Sequence, residues 1–155
     1  MSDERPRTWE VLGILMRFHA FPADVGGKYC LVEAVVPAGL GAPPNTHAGE
    51  TEAFHVIEGR VAFHVDGRDF EAGPGEHVRI PDGAVHAFHV VSDNPARMLI
   101  LNAPGGMHDQ FFTGLGKPVA DDTKTPAPVE GPPDIGAVLA VAERVGMKIF
   151  APAPS

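Results

Sequence analysis

The chain has 155 residues, which is enough for one domain with a single continuous core. Hydrophobic residues make up 44% of it, too many for a disordered chain, and its 18 glycines and 16 prolines favour short strands joined by tight turns over a helical bundle. The formal charge of -8 comes from 20 acidic and 12 basic residues without a Lys/Arg cluster, so neither nucleic acid nor an anionic membrane is an expected partner.

The first residues and the single cysteine bear on where the protein works. Residues 1–6 are polar and lack the apolar centre of a secretory signal, and no apolar run reaches the about 20 residues that span a bilayer. We therefore expect a cytoplasmic protein. Cys30 is the only cysteine, which excludes an intrachain disulfide, and its apolar surroundings favour a small buried hydrophobe over a nucleophile.

From Val11 to about Leu101 the pattern indicates strands throughout. Short runs rich in Val, Ile, Phe and Leu are separated by turn signals rich in Gly, Pro, Asp and Asn. The run 61–65, the Asp-Gly pair at 66–67 and the run 68–70 predict a hairpin closed by a two-residue turn. The even spacing of the turns predicts a sandwich or barrel rather than βαβ units.

After Pro104 the pattern changes. Residues 106–112 predict a short helix that ends near Gly114 or Gly116. Residues 117–133 are rich in Pro, Ala, Thr and acid and have no apolar period, which predicts a loop on the surface. Residues 148–150 resemble a short strand before a frayed, Pro-rich tail.

A second helix is predicted close to the C-terminus. Its apolar residues follow the i, i+3, i+4, i+7 spacing of an amphipathic helix. Asp134 is expected to act as the N-cap and Gly146 as the C-terminal stop. The apolar residues of the period are Ile135, Val138, Leu139, Ala142 and Val145.

Two segments concentrate polar side chains among the strands, and the first covers residues 39–59. Strand side chains alternate between faces, so Asn45 and His47 share one face. His47 and Glu52 are an odd number of residues apart, which on an unbroken strand would place them on opposite faces. The chain must therefore turn or bulge between them, and Gly49 suits that break.

The second segment covers residues 75–90. A Pro-Asp-Gly turn at 81–83 precedes a strand on which His86 and Phe88 share a face, while His89 takes the other. If the chain breaks near Gly49, the side chains of His47, Glu52 and His86 can all point into one interior.

These segments resemble the paired signature motifs of the cupin superfamily. The first motif runs Gly, five residues, His, one residue, His, four residues, Glu, six residues, Gly, and Asn45 stands where its first His belongs. The second runs Gly, five residues, Pro, one residue, Gly, two residues, His, three residues, Asn, and Val90 replaces its final Asn. The residues that match the two motifs are Gly39, His47, Glu52, Gly59, Gly75, Pro81, Gly83 and His86.

The resemblance implies an all-β fold, a cupin jelly-roll β-barrel with a C-terminal helix, in one domain that covers residues 1–155. The barrel would span about residues 11–103, and the C-terminal loop and helix residues 104–155. Trp9, the Leu-Gly pair at 12–13 and the Pro-Gly and Phe-Phe features after the barrel are similar to single-domain quercetin dioxygenase-like cupins. By the same resemblance we expect a homodimer that takes a small-molecule ligand or substrate.

The resemblance also implies a metal site. Metal-binding cupins hold a divalent transition metal, commonly iron, manganese, nickel, cobalt, copper or zinc, on the motif His and Glu residues. The ligands here would be His47, Glu52 and His86, with Asn45 in the remaining place. Two imidazoles and a carboxylate suit such an ion with open positions. Because the amide oxygen of Asn45 is a harder and weaker donor, we expect a lower affinity or an empty site.

Each of these residues also has a structural interpretation. Asn45 follows two prolines, which is typical of a turn residue. His47 and His86 are also compatible with hydrogen-bonded core histidines. Glu52 in a barrel interior is costly to bury unpaired, so a metal or a partner is expected beside it, and it is the candidate catalytic residue, as ligand or general base.

Three further side chains are candidates for substrate binding: Phe54, His64 and Phe88. The two phenylalanines are equally compatible with the core or with a pocket wall. His64 is also interpreted as an ordinary strand residue, like His55 and His89, and is the first of these three as a candidate for the pocket. The side chains expected on the surface are His19, His77, His108 and Arg79.

Two functions from different classes follow. The first is a metal-dependent cupin enzyme, for which the resemblance suggests a dioxygenase that cleaves a flavonol-like or other small aromatic substrate. The alternative is a non-catalytic, small-molecule-binding cupin with a degraded metal site, which the replacements Asn45 and Val90 favour.

Overall fold

The computed structural model describes residues 3–150. These residues form twelve strands, two α-helices and a short 3-10 helix, Pro22–Val25. Residues 1, 2 and 151–155 lie outside the described residues, and so does the Pro-rich tail that the sequence predicts. The strands and helices are β1 Thr8–Val11, β2 Ile14–Ala20, β3 Cys30–Val36, β4 Gly41–Thr46, β5 Thr51–Glu58, β6 Val61–Val65, β7 Arg68–Ala72, β8 His77–Ile80, β9 His86–Val90, β10 Ala96–Ala103, α1 Gly106–Leu115, β11 Lys117–Pro118, α2 Ile135–Val145 and β12 Lys148–Ile149.

The strands form two antiparallel sheets that enclose one core. The seven-stranded sheet has the order β11-β1-β2-β3-β10-β5-β8, and the five-stranded sheet has the order β12-β4-β9-β6-β7. Strands far apart in the chain, such as β3 and β10 or β4 and β9, are neighbours, which gives the crossing connections of a jelly roll. The predicted all-β jelly-roll barrel with a C-terminal helix is therefore confirmed.

Alternation along the strands builds the core. On β3 every second side chain is buried while its neighbours face outwards in part. Phe54 of the seven-stranded sheet packs against Phe63 and Phe88 of the five-stranded sheet, with ring centroids 5.3 and 5.2 Å away. The core side chains of β3 are Cys30, Val32, Ala34 and Val36.

Cys30 is part of this core. It is fully buried, and burial raises the pKa of its thiol to about 12. A thiol that keeps its proton at neutral pH is a poor nucleophile, so the interpretation of Cys30 as a buried hydrophobe is confirmed.

The predicted hairpin is present. β6 and β7 pair from Val61 opposite Ala72 to Val65 opposite Arg68, so the second strand runs two residues beyond the predicted 68–70. The turn residues Asp66 and Gly67 have φ values of 51° and 80°, and two positive φ values in succession are what a type I′ turn requires.

The segment after β10 covers one end of the barrel. α1 extends from Gly106 to Leu115 and is capped by Gly116, one of the two predicted ends. The predicted surface loop begins as a short strand instead, because Lys117 and Pro118 of β11 pair with Glu10 and Trp9 of β1. The rest of the loop up to Pro133 contains neither a helix nor a strand.

α2 has the predicted bounds and caps. The Asp134 side chain accepts a hydrogen bond from the Ala137 N–H, and Gly146 ends the helix with a φ of 94°. The apolar period is buried only in part, since Ile135 and Leu139 are 58% and 43% exposed. Neither α-helix in residues 3–150 has the combination of length and apolar composition that crossing a membrane requires.

Candidate metal centre

The structure brings three sequence-predicted side chains together although they come from separate stretches of backbone. His47 follows the end of β4, Glu52 lies on β5 of the other sheet, and His86 begins β9. Glu52 Oε1 lies 2.9 Å from His86 Nε2 and 3.2 Å from His47 Nε2. All three side chains are buried, with exposures of 2%, 7% and 3% in chain order.

The predicted break between His47 and Glu52 explains how both face inwards. Gly49 has a φ of 100°, and the Glu50 N–H donates to the His47 carbonyl oxygen at 3.3 Å, which closes a tight turn. The Gly49 N–H donates to the Asp82 carboxylate at 2.8 Å, which ties this turn to the Pro-Asp-Gly turn before His86. The two motif segments are thereby held in register.

A fourth side chain, His108, completes the cluster. Its Nε2 lies 3.5 Å from Glu52 Oε2, its ring is 4.3 Å from that of His47, and it is 5% exposed. The prediction that His108 lies on the surface is wrong, because α1 begins over the barrel end and turns this side chain inwards. One sequence signal was available, since His108 shares a helical face with Phe111, Phe112 and Leu115.

Asn45 does not join the cluster. Its side-chain NH₂ donates to the carbonyl oxygens of Pro43 at 2.9 Å and His86 at 3.2 Å. Among the described residues, its side chain has no hydrogen bond to His47, Glu52 or the His86 ring. These hydrogen bonds match the turn interpretation, while ligation of an ion through the Asn45 Oδ1 stays a prediction.

Hydrogen bonds at Nδ1, on the side of each ring away from the cluster, orient the imidazoles of His47 and His86. His47 Nδ1 lies 3.2 Å from the Glu50 carbonyl oxygen. His86 Nδ1 lies 2.9 Å from the Ala84 carbonyl oxygen. Because a carbonyl oxygen only accepts hydrogen bonds, Nδ1 must carry the proton, and in the neutral ring Nε2 is left with a lone pair that faces the centre.

His108 is oriented in the same way by a carboxylate. Its Nδ1 donates to Glu50 Oε1 at 2.6 Å. Glu50 is 3% exposed and also accepts from the backbone N–H groups of Met107 at 3.0 Å and His108 at 3.4 Å. Burial alone raises the pKa of Glu50, but the His108 and Met107 hydrogen bonds outweigh it and hold that pKa below its usual value.

The centre of the cluster brings several electron-rich acceptor atoms close together. His47 Nε2 and His86 Nε2 are only 3.2 Å apart, and both lone pairs lie within 3.2 Å of the Glu52 carboxylate. Acceptors this close repel one another unless a cation or a proton lies between them. The donor set therefore fits a bound cation.

The pKa shifts of Glu52 and His47 also favour a positive charge at this centre. Burial alone raises the pKa of Glu52, but the charge of His108 and the hydrogen bonds that Glu52 shares with His47 and His86 reverse the shift, so that pKa is strongly lowered. Burial alone lowers the pKa of His47, but the hydrogen bond and charge of Glu52 outweigh it, so that pKa is raised. Both shifts favour an anionic carboxylate with positive charge beside it.

Asn102 supports the carboxylate from β10. Its side-chain NH₂ donates to Glu52 Oε2 at 2.9 Å, and the residue is fully buried. Its Oδ1 has no hydrogen-bond partner among the described residues, which leaves a buried acceptor beside the cluster.

These observations agree with a divalent transition metal. Nitrogen and carboxylate donors suit borderline first-row ions, and the ligand atoms of His47, Glu52 and His108 lie within 4.8 Å of one another. When bound, such an ion supplies a Lewis acid with open positions for a substrate oxygen or for dioxygen.

An apolar cavity of about 120 Å³ opens onto the cluster. Its wall comes from both sheets and from the C-terminal segment, including Phe111, Val138 and Ile149. The polar or charged side chains on this wall are Asn45, Glu52, His86 and His108, and none of the described residues that line it is Lys or Arg.

The predicted substrate-binding residues differ in their placement. Phe54 and Phe88 line the cavity, in agreement with the pocket-wall interpretation. His64 does not: its side chain is 41% exposed and lies 2.6 Å from the Asp69 carboxylate. Its neighbour Phe63 points into the core, so strand alternation turns His64 to the outer face, and that expectation is corrected.

The other histidines outside the cluster lie on strands. His55 and the exposed His77 face each other on β5 and β8, with 3.2 Å between their Nδ1 atoms. His89 is exposed on β9, and His19 lies 2.8 Å from the Glu33 carboxylate with 40% of its side chain exposed. The surface predictions for His19, His77 and Arg79 are confirmed.

A jelly-roll barrel with a buried His/Glu cluster at one end defines the cupin class of protein. Residues 31–102 match the family model described as Cupin domain. Cupin structures also align with this fold, and residues 31–102 form a cupin domain.

Three individual proteins are similar to this chain in sequence or in fold. The chain is 28% identical over 104 residues to quercetin 2,3-dioxygenase of Bacillus subtilis, a match that covers 67% of this chain and 30% of the relative. The polyketide cyclase RemF from Streptomyces resistomycificus aligns at 25% identity and a TM-score of 0.53, over 66% of this chain and 70% of that one. An RmlC-like cupin from Shewanella frigidimarina aligns at 15% identity and a TM-score of 0.57, over 68% and 90%, and supports the fold alone.

Proposed function

We propose that the protein is a metal-dependent cupin enzyme that acts on a small, uncharged, mainly apolar molecule. The observation that carries the proposal is the convergence of imidazole Nε2 atoms and the Glu52 carboxylate beside an apolar cavity. His47, Glu52 and His86 would hold the ion. The likeness to quercetin 2,3-dioxygenase makes oxygen-dependent cleavage of a small aromatic compound the reaction to test first.

The chain's own residues have three tasks in this proposal. Glu52 supplies the negative charge of the site and is the candidate catalytic group, as ligand or as a base for a substrate hydroxyl. Asn102 fixes one carboxylate oxygen by a hydrogen bond of 2.9 Å and so sets the direction of the other. Phe54 and Phe88 provide flat apolar walls for a ring and keep water away from it.

Charge supports an uncharged substrate. An anion in the cavity would meet Glu52 without a basic side chain among the described lining residues to balance it. Size supports a small one, because a cavity of about 120 Å³ is below the roughly 300–1,000 Å³ of sites for drug-sized molecules and near the about 150 Å³ that takes benzene. A single aromatic ring fits this volume, whereas a three-ring flavonol exceeds it.

The first test is metal content. We expect protein purified without a metal-affinity tag to contain about one divalent transition metal per chain, as a single mononuclear site requires. After removal of the ion, its return at about 100 times the dissociation constant should raise the melting temperature by roughly 5–10 °C. Elemental analysis and thermal scans measure both. Absence of metal, with no change in melting on addition of iron, nickel or manganese, would contradict the proposal.

The second test is oxygen uptake by the metal-loaded protein. Because the cavity holds about one ring, we expect catechol-type substrates to be consumed faster than quercetin, and a sulfated analogue not to be consumed. An oxygen electrode measures the rates, and the metal-free protein is the control. Equal rates for the sulfated and the unsulfated compound would contradict the proposed substrate class.

A second candidate function is a binding protein without turnover. The observation that favours it is the replacement of two motif positions by Asn45 and Val90. It predicts that the same small aromatic compounds raise the melting temperature without oxygen uptake. The predicted homodimer and cytoplasmic location stay predictions.

A further inference from the structure

The first motif lacks one imidazole, and the structure places another imidazole beside the cluster. Asn45 stands at the motif position, but its NH₂ group is bound to two backbone carbonyl oxygens. His108 reaches the cluster from α1, outside the residues 31–102 that match the family. Its Nε2 lies 3.5 Å from Glu52 Oε2.

We infer that His108 supplies the imidazole ligand that position 45 lacks, and that Glu50 is the positioning residue that directs it. The inference rests on the proposed function, because it concerns the ion that His47, Glu52 and His86 would hold. It adds a ligand from the C-terminal segment and a buried carboxylate behind that ligand.

The hydrogen bonds of His108 determine which nitrogen faces the ion. Its Nδ1 donates to Glu50 Oε1 at 2.6 Å, so the neutral ring presents the lone pair of Nε2 to the cluster. The rings of His108 and His47 lie edge to face at an interplanar angle of 83°, and both bring an imidazole nitrogen close to Glu52. The ligand atoms of His47, Glu52 and His108 are mutually within 4.8 Å, which is compatible with a shared ion.

Glu50 has the surroundings of a carboxylate that orients a metal-bound histidine. It is 3% exposed and accepts from His108 Nδ1 and from the N–H groups of Met107 and His108. A buried carboxylate is costly unless donors such as these satisfy it. Carboxylates behind metal-bound imidazoles fix the ring and increase its basicity, and their loss costs about 10–100-fold in metal affinity.

A purely structural ion pair between Glu50 and His108 makes a different prediction. Such a pair would hold α1 on the barrel through Nδ1 and would need nothing at Nε2. Its loss would change stability and leave metal affinity and spectrum unaltered. The test therefore measures the metal complex, with Co²⁺ as the probe.

The experiment compares single variants of the full chain. We expect His108→Gln to weaken Co²⁺ binding by about 100-fold or more and Glu50→Gln by about 10–100-fold. His77→Gln, which changes an exposed histidine, is the control and should stay within about threefold of the wild type. Competition with a chromophoric chelator gives the affinities. The visible absorption of bound Co²⁺ should change in His108→Gln and stay unchanged in His77→Gln.

One further measurement keeps the inference testable if His108→Gln does not fold, and a second adds a rescue test if it does. X-ray absorption of the Co²⁺-loaded wild type should resolve three imidazole ligands, and two would overturn the inference. The double variant Asn45→His/His108→Gln returns an imidazole to the motif position and should recover affinity to within about tenfold of the wild type.

The inference and the proposed function fail in different ways. If the wild type takes up Co²⁺ while His108→Gln binds it as tightly with the same spectrum, the inference is overturned and the proposed function stands. If the wild type takes up no Co²⁺, nickel or manganese, the proposed function itself fails.

Discussion

Glu52→Gln should abolish tight metal binding while leaving the fold intact. Glu52 is the anion at the centre of the cluster, and the imidazoles of His47 and His86 around it are neutral when they act as ligands. Its replacement removes the charged ligand, and we expect affinity to fall by more than the about 100-fold that loss of an outer partner can cost. The metal-dependent rise in melting temperature should disappear, as measured by thermal scans with and without added Co²⁺.

The metal-free variant should remain stable for a specific reason. The new amide NH₂ can donate to the lone pair of His47 or His86, whereas the carboxylate can only accept. We therefore expect the metal-free melting temperatures of variant and wild type to differ by a few degrees at most. Glu143→Gln on the exposed side of α2 makes the same change of charge and should keep full metal affinity. A Glu52→Gln protein that still binds Co²⁺ with wild-type affinity would show that the ion does not sit on this carboxylate.

The fold was predictable because its signals are local. The Asp-Gly pair that closes the β6–β7 hairpin, and the Asp134 and Gly146 caps of α2, each act through a few neighbouring residues. The two motifs placed His47, Glu52 and His86, because the turns at Gly49 and Gly83 lie side by side and are joined by the hydrogen bond from the Gly49 N–H to Asp82.

His108 was not predictable from such signals. Its position depends on where α1 lands after β10 and on the rotation of the helix about its axis, and both are set by packing over the barrel end. The spacing from His108 to Phe112 and Leu115 indicated a common face but not what that face covers. When a metal-binding motif lacks one ligand, a histidine on the apolar face of a nearby helix is therefore a candidate replacement.

Asn45 and His64 depart from their predicted placement for different reasons. Asn45 and His47 share a face on an ideal strand, but β4 ends at Thr46, so His47 already belongs to the turn and alternation fails between them. Around His64 the side chains of β6 do alternate between the two faces. The prediction turned His64 inwards, whereas its neighbour Phe63 is the side chain that fills the core. Burial of an aromatic ring outweighed the expected pocket role of the imidazole.

Gly105→Ala should cause the largest loss of stability among the changes considered. Gly105 precedes α1 with a φ of 95°, where an L side chain costs about 1–2 kcal/mol. A Cβ there would lie 2.5 Å from the Cys30 backbone nitrogen and 2.8 Å from the Asn102 carbonyl oxygen, and such overpacking costs about 1–3 kcal/mol more. The sum of about 2–5 kcal/mol corresponds to a melting temperature lower by roughly 5–15 °C.

Gly106→Ala is the matched control, one residue further along. A Cβ at Gly106 meets nothing within 4 Å, and alanine favours a helix, so stability should rise by about 0.5 kcal/mol. The two variants also test how the barrel and the metal centre depend on each other. Because Gly105 fixes where α1 begins, its displacement moves His108 away from Glu52, and Co²⁺ affinity should fall with stability in Gly105→Ala but not in Gly106→Ala. Equal melting temperatures for the two variants would mean that the close approach of Gly105 to β3 and β10 does not hold α1 in place.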